Sequence, residues 1–296
     1  MLAPVPVVLA PAPVPAAADE KLIFLVAGVP ARQSCVNDNF SLPTPELLRL
    51  QAEWLFEARS RILRNVGIAH RRSVLDLGAG YGIITSELQR RTSGRVIALD
   101  RSLQALKKID LWDGHPCPPG ELSSREVAGA EACPTDRVCA HAQQLPFRPA
   151  TFDLVFSQNV LLWLREMRDV IAGVHRLLQH QGIWVLFEAD YGGMIEYPPQ
   201  IETAHLWIAA LQRAGADPYI ARSIPSALSA AGFSVRTELL PRMMSPQMER
   251  FDFLAGLDLT EQEKQHLAGV RAACEKLSPE QQTVHLPFFL IIAERP

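Results

Sequence analysis

Three glycines within five residues, Gly78-Ala79-Gly80-Tyr81-Gly82, follow the apolar run Ser73–Leu77, in which Asp76 stands near the end. Glycine at such a point lets backbone come close to a ligand and takes up turn angles that a Cβ forbids. The residues from Ile83 to Arg91 read as a helix, whose start offers free N–H groups. A second apolar run, Arg95–Leu99, leads into Asp100, about 20 residues beyond the first glycine, where a carboxylate can accept two hydrogen bonds from a ribose diol. A glycine turn between strand and helix, with an acid at the end of the next strand, is a nucleoside-binding arrangement.

The spacing narrows the nucleoside. A dinucleotide fingerprint, Gly-x-Gly-x-x-Gly, would need glycine where Ile83 stands. No Gly-Lys-Ser/Thr follows for a nucleoside triphosphate. A ligand without pyrophosphate is expected.

The elements that must position these residues alternate. Thr44 followed by Pro45 is an N-cap with proline at the first helical position, and one helix is expected from there to about Asn65, ending at Gly67. Strands are expected at Ser73–Leu77, Arg95–Leu99, Arg137–Ala140, Phe152–Phe156, Ile183–Glu188, Phe233–Leu240 and Phe288–Ala293. Helices are expected at Leu103–Ile109, Asp169–Gln179, Ile201–Arg213, Ser226–Ala231 and Thr260–Leu277, the last opened by the capping box Thr260-Glu261-Gln262-Glu263. Such alternation means a mostly parallel sheet with helices on both faces, whose ligands sit beyond the carboxyl ends of the strands.

Val74-Leu75-Asp76-Leu77-Gly78-Ala79-Gly80-Tyr81-Gly82 resembles the first motif of class I S-adenosylmethionine-dependent methyltransferases. Leu145-Pro146-Phe147 with Phe152-Asp153-Leu154-Val155, Leu177-Leu178 leading to Gly182, and Glu188-Ala189-Asp190-Tyr191-Gly192-Gly193 are similar to later motifs of the small-molecule branch, the UbiE or methyltransferase type 11-like one. So are Ala216-Asp217-Pro218-Tyr219-Ile220, Leu228, Ala231-Gly232-Phe233 and the closing Phe289 to Glu294. The resemblance covers residues 44 to 296. It implies an α/β, Rossmann-like, doubly wound sheet of seven strands, the last antiparallel, with a helical lid. S-adenosyl-L-methionine is the implied cofactor. Gly78, Gly80 and Gly82, with Ala79 and Tyr81 between them, would pass under its methionine and ribose parts. Asp76 would hold the ammonium, Asp100 the ribose hydroxyls, and Arg101 and Ser102 would lie beside the adenine. Ser157, Gln158 and Asn159 would lie near the methionine end. One departure stands out: relatives often carry Asp-Ala where this chain has His141-Ala142, so a histidine and the Ala142 N–H would meet the adenine.

Methyl transfer from a sulfonium asks the protein mainly to align acceptor, methyl and sulfur and to keep water out. A base is needed only where the acceptor starts protonated; Glu188, Asp190, Tyr191 and His141 are the candidates. Ser157-Gln158-Asn159-Val160 lacks the Asn/Asp-Pro-Pro-Tyr of enzymes that methylate exocyclic nitrogen, so oxygen or carbon is the expected target. Met194, Tyr197, Trp207, Tyr219, Met243 and Met244 suit an adaptable apolar pocket. The expected function is therefore methyl transfer to a small, largely apolar organic molecule of secondary metabolism. Tailoring of a peptide natural product, and a non-catalytic cofactor-binding regulatory module, are the alternatives.

Three regions are expected: a Pro/Ala-rich extension over 1–40, flexible in part, an N-terminal helix over 41–70 covering the cofactor site, and the methyltransferase domain over 71–296 with its lid at about 192–280. The chain's 296 residues, 48% apolar and 21% charged, exclude a disordered or fibrous protein. Its net charge of −3 gives no footprint for nucleic acid. No apolar run reaches about 18 residues, so no membrane span is expected, and a monomer or homodimer in the cytoplasm is. The five cysteines, Cys35, Cys117, Cys133, Cys139 and Cys274, form neither a disulfide framework nor a zinc motif, so no metal is expected, and the insert 110–136 reads as a solvent loop.

Overall fold

The computed structural model describes residues 42–109, 136–240, 243 and 246–296. The expectations for the extension 1–40, for most of the insert 110–136, and for Cys35, Cys117, Cys133 and Met244 fall outside them.

The centre is a seven-stranded sheet in the order β3-β2-β1-β4-β5-β9-β7. Its strands are β1 (Ser73–Leu77), β2 (Arg95–Asp100), β3 (Asp136–Cys139), β4 (Phe152–Gln158), β5 (Leu178–Ala189), β7 (Ser234–Leu239) and β9 (Phe288–Glu294). The strands from β3 to β5 pair in parallel. The last strand in the chain, β9, inserts between β5 and β7 and runs antiparallel to both. Parallel strands are covered on both faces, which is why Val74, Leu75, Leu77, Leu154, Val155 and Phe156 are all fully buried. The strand order reverses between β1 and β4, and a ligand crevice opens at that switch point.

Helices flank the sheet: α1 (Pro45–Trp54), α2 (Phe56–Asn65), α3 (Ile83–Arg91), α4 (Leu103–Leu106), α5 (Met167–Leu177), α6 (Ala204–Arg213), α7 (Ile224–Ala230), α8 (Arg250–Ala255) and α9 (Glu261–Cys274). Thr44 caps α1, and Thr260 with Glu263 forms the expected capping box of α9.

Several boundaries differ from the sequence expectation. The first helix is two helices that break at Leu55, which is buried and non-helical. Helix α5 ends at Leu177, because Leu178 already pairs with Phe152 and starts β5. Helix α4 keeps only one turn. A small two-stranded sheet, β6 (Ile195–Tyr197) with β8 (Thr283–His285), and the short α8 have no counterpart in the expectation. Among the described residues no helix is long and apolar enough to cross a membrane.

Candidate active site

The loop after β1 is lashed to β2. The N–H groups of Gly78 and Ala79 both donate to the Leu99 carbonyl, at 2.8 and 3.0 Å. The Gly80 N–H donates to Asp100 Oδ2 at 2.9 Å, and the Ser102 N–H to Asp100 Oδ1 at 2.7 Å. The glycines serve two different ends. A Cβ on Gly78 would lie 2.4 Å from Val160 Cγ2, and one on Gly82 would lie 2.8 Å from Ile109. A Cβ on Gly80, whose φ is +51°, would meet nothing within 4 Å. Gly78 and Gly82 are thus fixed by protein packing, whereas Gly80 faces open space.

That space is a cleft of about 1000 Å³, continuous in part with solvent. The strand ends contribute Asp76, Gly78, Ala79, Gly80, Tyr81, Asp100, Gln158 and Asn159, and α1 contributes Leu48, Gln51 and Ala52. Leu162, Trp163, Tyr191, Trp207, Leu211, Phe253 and Leu257 supply an apolar wall. Tyr191 packs on Trp207 with ring centroids 5.1 Å apart, and Trp54 backs Phe253 at 5.6 Å. Leu211 lies one helical turn beyond Trp207, so both reach the cleft from one face of α6.

Two carboxylates face the cleft from a nearly dry setting. Burial pushes the Asp76 carboxyl up to about 7, although the Thr85 hydroxyl donates to it at 2.6 Å and works in the opposite direction. Burial also raises Asp100, against the N–H groups of Ser102 and Gly80 that favour its charged form. A cationic or hydroxylic ligand group would relieve both. Asn159 points the same way: its backbone has φ +55°, and both polar atoms of its side chain are buried without a partner. These residues suit an adenosyl amino acid: an acid for an ammonium, an acid for a ribose diol, open space above Gly80 and an unspent amide.

The structure brings Asp76, Gly78 to Tyr81, Asp100, Gln158, Asn159 and Tyr191 to one cleft and places other expected residues elsewhere. Ser157 is fully buried and its hydroxyl accepts from Trp184 Nε1 at 3.0 Å. Ser102 caps α4 through Ala105 N. Gly82, Arg101, His141 and Ala142 are not among the residues lining the cleft. His141 accepts at Nδ1 from Gln143 N.

The candidate bases separate in the same way. Glu188 is wholly buried behind the cleft wall. Its Oε1 accepts from the N–H groups of Val160 and Leu161, both at 2.9 Å, while burial raises its carboxyl to about 7. Asp190 is held by the Arg222 guanidinium at 2.6 and 2.8 Å. Tyr191 lines the cleft, and burial pushes its phenol above its ordinary value, so it stays protonated. Of the apolar residues expected to line an acceptor pocket, Trp207 does so, while Tyr197, Tyr219 and Met243 are exposed. Trp163, Leu211, Phe253 and Leu257 went unnoticed because their spacing also fits ordinary core positions.

Comparison with known proteins agrees with this fold. A family model described as "Methyltransferase domain" matches residues 75–186. The chain is 29% identical over 169 residues to the mitochondrial arginine-hydroxylase NDUFAF5 of Homo sapiens, covering 55% of this chain and 42% of that one. It is 27% identical over 166 residues to a malonyl-[acyl-carrier protein] O-methyltransferase of Hamiltonella defensa, covering 56% and 53%. The chain thus spans about half the length of these curated relatives. A solved methyltransferase-fold protein of Bacillus halodurans superposes with a TM-score of 0.55 at 15% identity, covering 80% of this chain and 98% of that one. Residues 75–186 thus match a methyltransferase domain, and the chain has the Rossmann-like fold of solved methyltransferase-fold proteins.

Proposed function

We propose that this chain binds S-adenosyl-L-methionine and transfers its methyl group to oxygen or carbon of a small, largely apolar organic molecule. The observation that carries the reading is the Gly80–Asp100 pair: a fixed carboxylate beside the one loop glycine that faces open space. The expected outcome is tight binding of S-adenosylmethionine and S-adenosylhomocysteine, and none of NADH, by calorimetric titration. Binding of neither sulfur nucleoside would overturn it. Turnover is then tested by a screen of neutral aromatic and aliphatic acceptors with product mass as the readout.

When bound, the cofactor would supply a sulfonium methyl group for in-line displacement. The chain's own residues do the rest by placement. Asp100 would accept from the ribose hydroxyls and Asp76 would pair with the ammonium. Trp163, Tyr191, Trp207 and Phe253 would hold an apolar acceptor and exclude water. Tyr191, protonated, would donate a hydrogen bond rather than take a proton. Asp190 spends its carboxylate on Arg222 and Glu188 one oxygen on the Val160 and Leu161 N–H groups, and neither lines the cleft, so they would support the site instead of touching an acceptor. An acceptor atom that is already nucleophilic suits such a wall best.

A further inference from the structure

Arg59 lies in α2, outside every motif singled out in the sequence, and is only 2% exposed. Its guanidinium joins three elements. Nε and Nη2 meet Glu87 Oε2 of α3 at 2.7 and 2.5 Å. Nη1 donates to the Ala52 carbonyl in the last turn of α1 at 3.0 Å and to Gln158 Oε1 at 3.2 Å. The helix break at Leu55 brings this arginine beneath α1. Ala52 and Gln158 both line the cleft. Glu87 also pairs with Arg91 at 2.9 Å, so the acid is shared between two arginines.

The arrangement fixes the direction of one amide. Arginine has donors and no acceptor, so the oxygen of the Gln158 amide must face it. The amide NH2 is then left for the cleft. A donor there has a natural partner in a carboxylate, which only accepts, just as Asp76 has one in an ammonium. The two ends of an α-amino acid would be read by neighbouring groups of opposite character.

We infer that Arg59 is a positioning residue for the amino-acid end of the cofactor: by holding Gln158 Oε1 it aims the Gln158 NH2 at the cofactor carboxylate, and by holding the Ala52 carbonyl it seats α1 over the same cleft. The inference rests on the cofactor reading above. Lysine in place of arginine keeps a charge beside Glu87 but is a single point of donors that cannot fork to Glu87, Ala52 and Gln158 together.

The test compares two ligands. S-adenosylhomocysteine carries the amino-acid end; 5′-methylthioadenosine carries the same nucleoside without it. In Arg59→Lys, affinity for S-adenosylhomocysteine is expected to fall about tenfold, while that for 5′-methylthioadenosine stays within about twofold. Gln158→Glu keeps an oxygen for Arg59 but replaces the donor with a negative charge. It is expected to show the same split, more strongly, and it keeps the proposal testable if Arg59→Lys does not fold. A melting curve of each variant is taken alongside. Equal loss of both ligands in the variants would mean that Arg59 serves only the fold, and no loss of either would mean that Gln158 does not meet the carboxylate; both overturn the inference while leaving the cofactor reading intact. Failure of the unaltered protein to bind either ligand would overturn the cofactor reading and this inference with it.

Discussion

The backbone of Gly80 and the side chain of Asp100 are joined by a 2.9 Å hydrogen bond, and the loop and the acid therefore form one rigid unit although they follow different strands. The Asp100 oxygens accept from the Gly80 and Ser102 N–H groups, and the residue lines the cleft. Asp100→Ala removes the proposed acceptor for a ribose diol and also frees the Gly80 and Ser102 N–H groups. A charge-assisted hydrogen bond contributes about 1.5–3 kcal/mol, so affinity for S-adenosylhomocysteine should fall about 10- to 100-fold. Calorimetry reads this directly. Unchanged affinity would remove Asp100 from the ribose site.

Gly78 and Gly80 should part company under substitution. Gly80→Val meets no protein atom within 4 Å of its Cβ, so its cost to the free protein is the strain of a positive φ, roughly 1–3 kcal/mol. Its side chain would fill the space over the loop, and ligand binding should vanish. Gly78→Ala drives a methyl to 2.4 Å from Val160 and should lower the melting temperature more than Gly80→Val does, with no ligand present. Equal melting temperatures for the two variants would contradict the packing described here.

This pair also marks what the sequence made legible. The spacing of glycines and acids located the loop, the strands on either side and Asp100, because apolar runs and glycine turns are local signals. It treated the three glycines as one device. That Val160 and Ile109 press on Gly78 and Gly82, and that Gly80 alone is open, depends on residues far along the chain or beyond a helix. The same holds for Glu188, which reads as a base at a strand end but spends one oxygen on the backbone of Val160 and Leu161. Arg59 and Glu87 gave no signal at all, since charged residues on a helix read as solvated until their partners are in view.

Binding and folding should respond to pH in opposite directions through Asp76. Its carboxyl ionises at 3.8 in its ordinary state and at about 7 in the fold, because burial disfavours the charge. Between those values the folded state holds the extra proton, so stability is highest in acid and falls as pH rises toward about 7. An ammonium ligand needs the ionised form, so affinity should rise through the same window. Denaturant unfolding and calorimetry between about pH 5 and 8 check both limbs, and Asp76→Asn should flatten the binding limb and lessen the slope of the stability limb, to which Glu188, also raised to about 7, contributes as well. A stability curve of unchanged slope in that variant would show that Asp76 is not the titrating group.

Glu188 offers a contrast between size and charge. Glu188→Gln keeps an oxygen for the Val160 and Leu161 N–H groups and removes a carboxyl whose ionisation is opposed by burial. Stability at neutral pH should be kept or raised. Glu188→Leu leaves both N–H groups buried without an acceptor, at a cost of about 1–3 kcal/mol each. If the glutamine variant proves the less stable of the two, the carboxylate does more than hold this turn.

Tyr191 separates donation of a hydrogen bond from proton abstraction. Burial, and then the charge of Glu188, push its phenol above its ordinary value, so it does not ionise near neutral pH. Its ring stacks on Trp207 and remains in Tyr191→Phe. That variant should bind S-adenosylhomocysteine within about twofold of the parent and melt close to it, since the ring and its packing stay. Methyl transfer to a hydroxylated or carbonyl-bearing acceptor should drop by about tenfold, the worth of one hydrogen bond. The shape of its pH profile between about pH 6 and 9 should be that of the parent, because a group protonated throughout contributes no limb. A parent profile that rises through neutral pH and becomes flat in Tyr191→Phe would make the phenol a base after all, and the wall around it would then serve acceptors that arrive protonated.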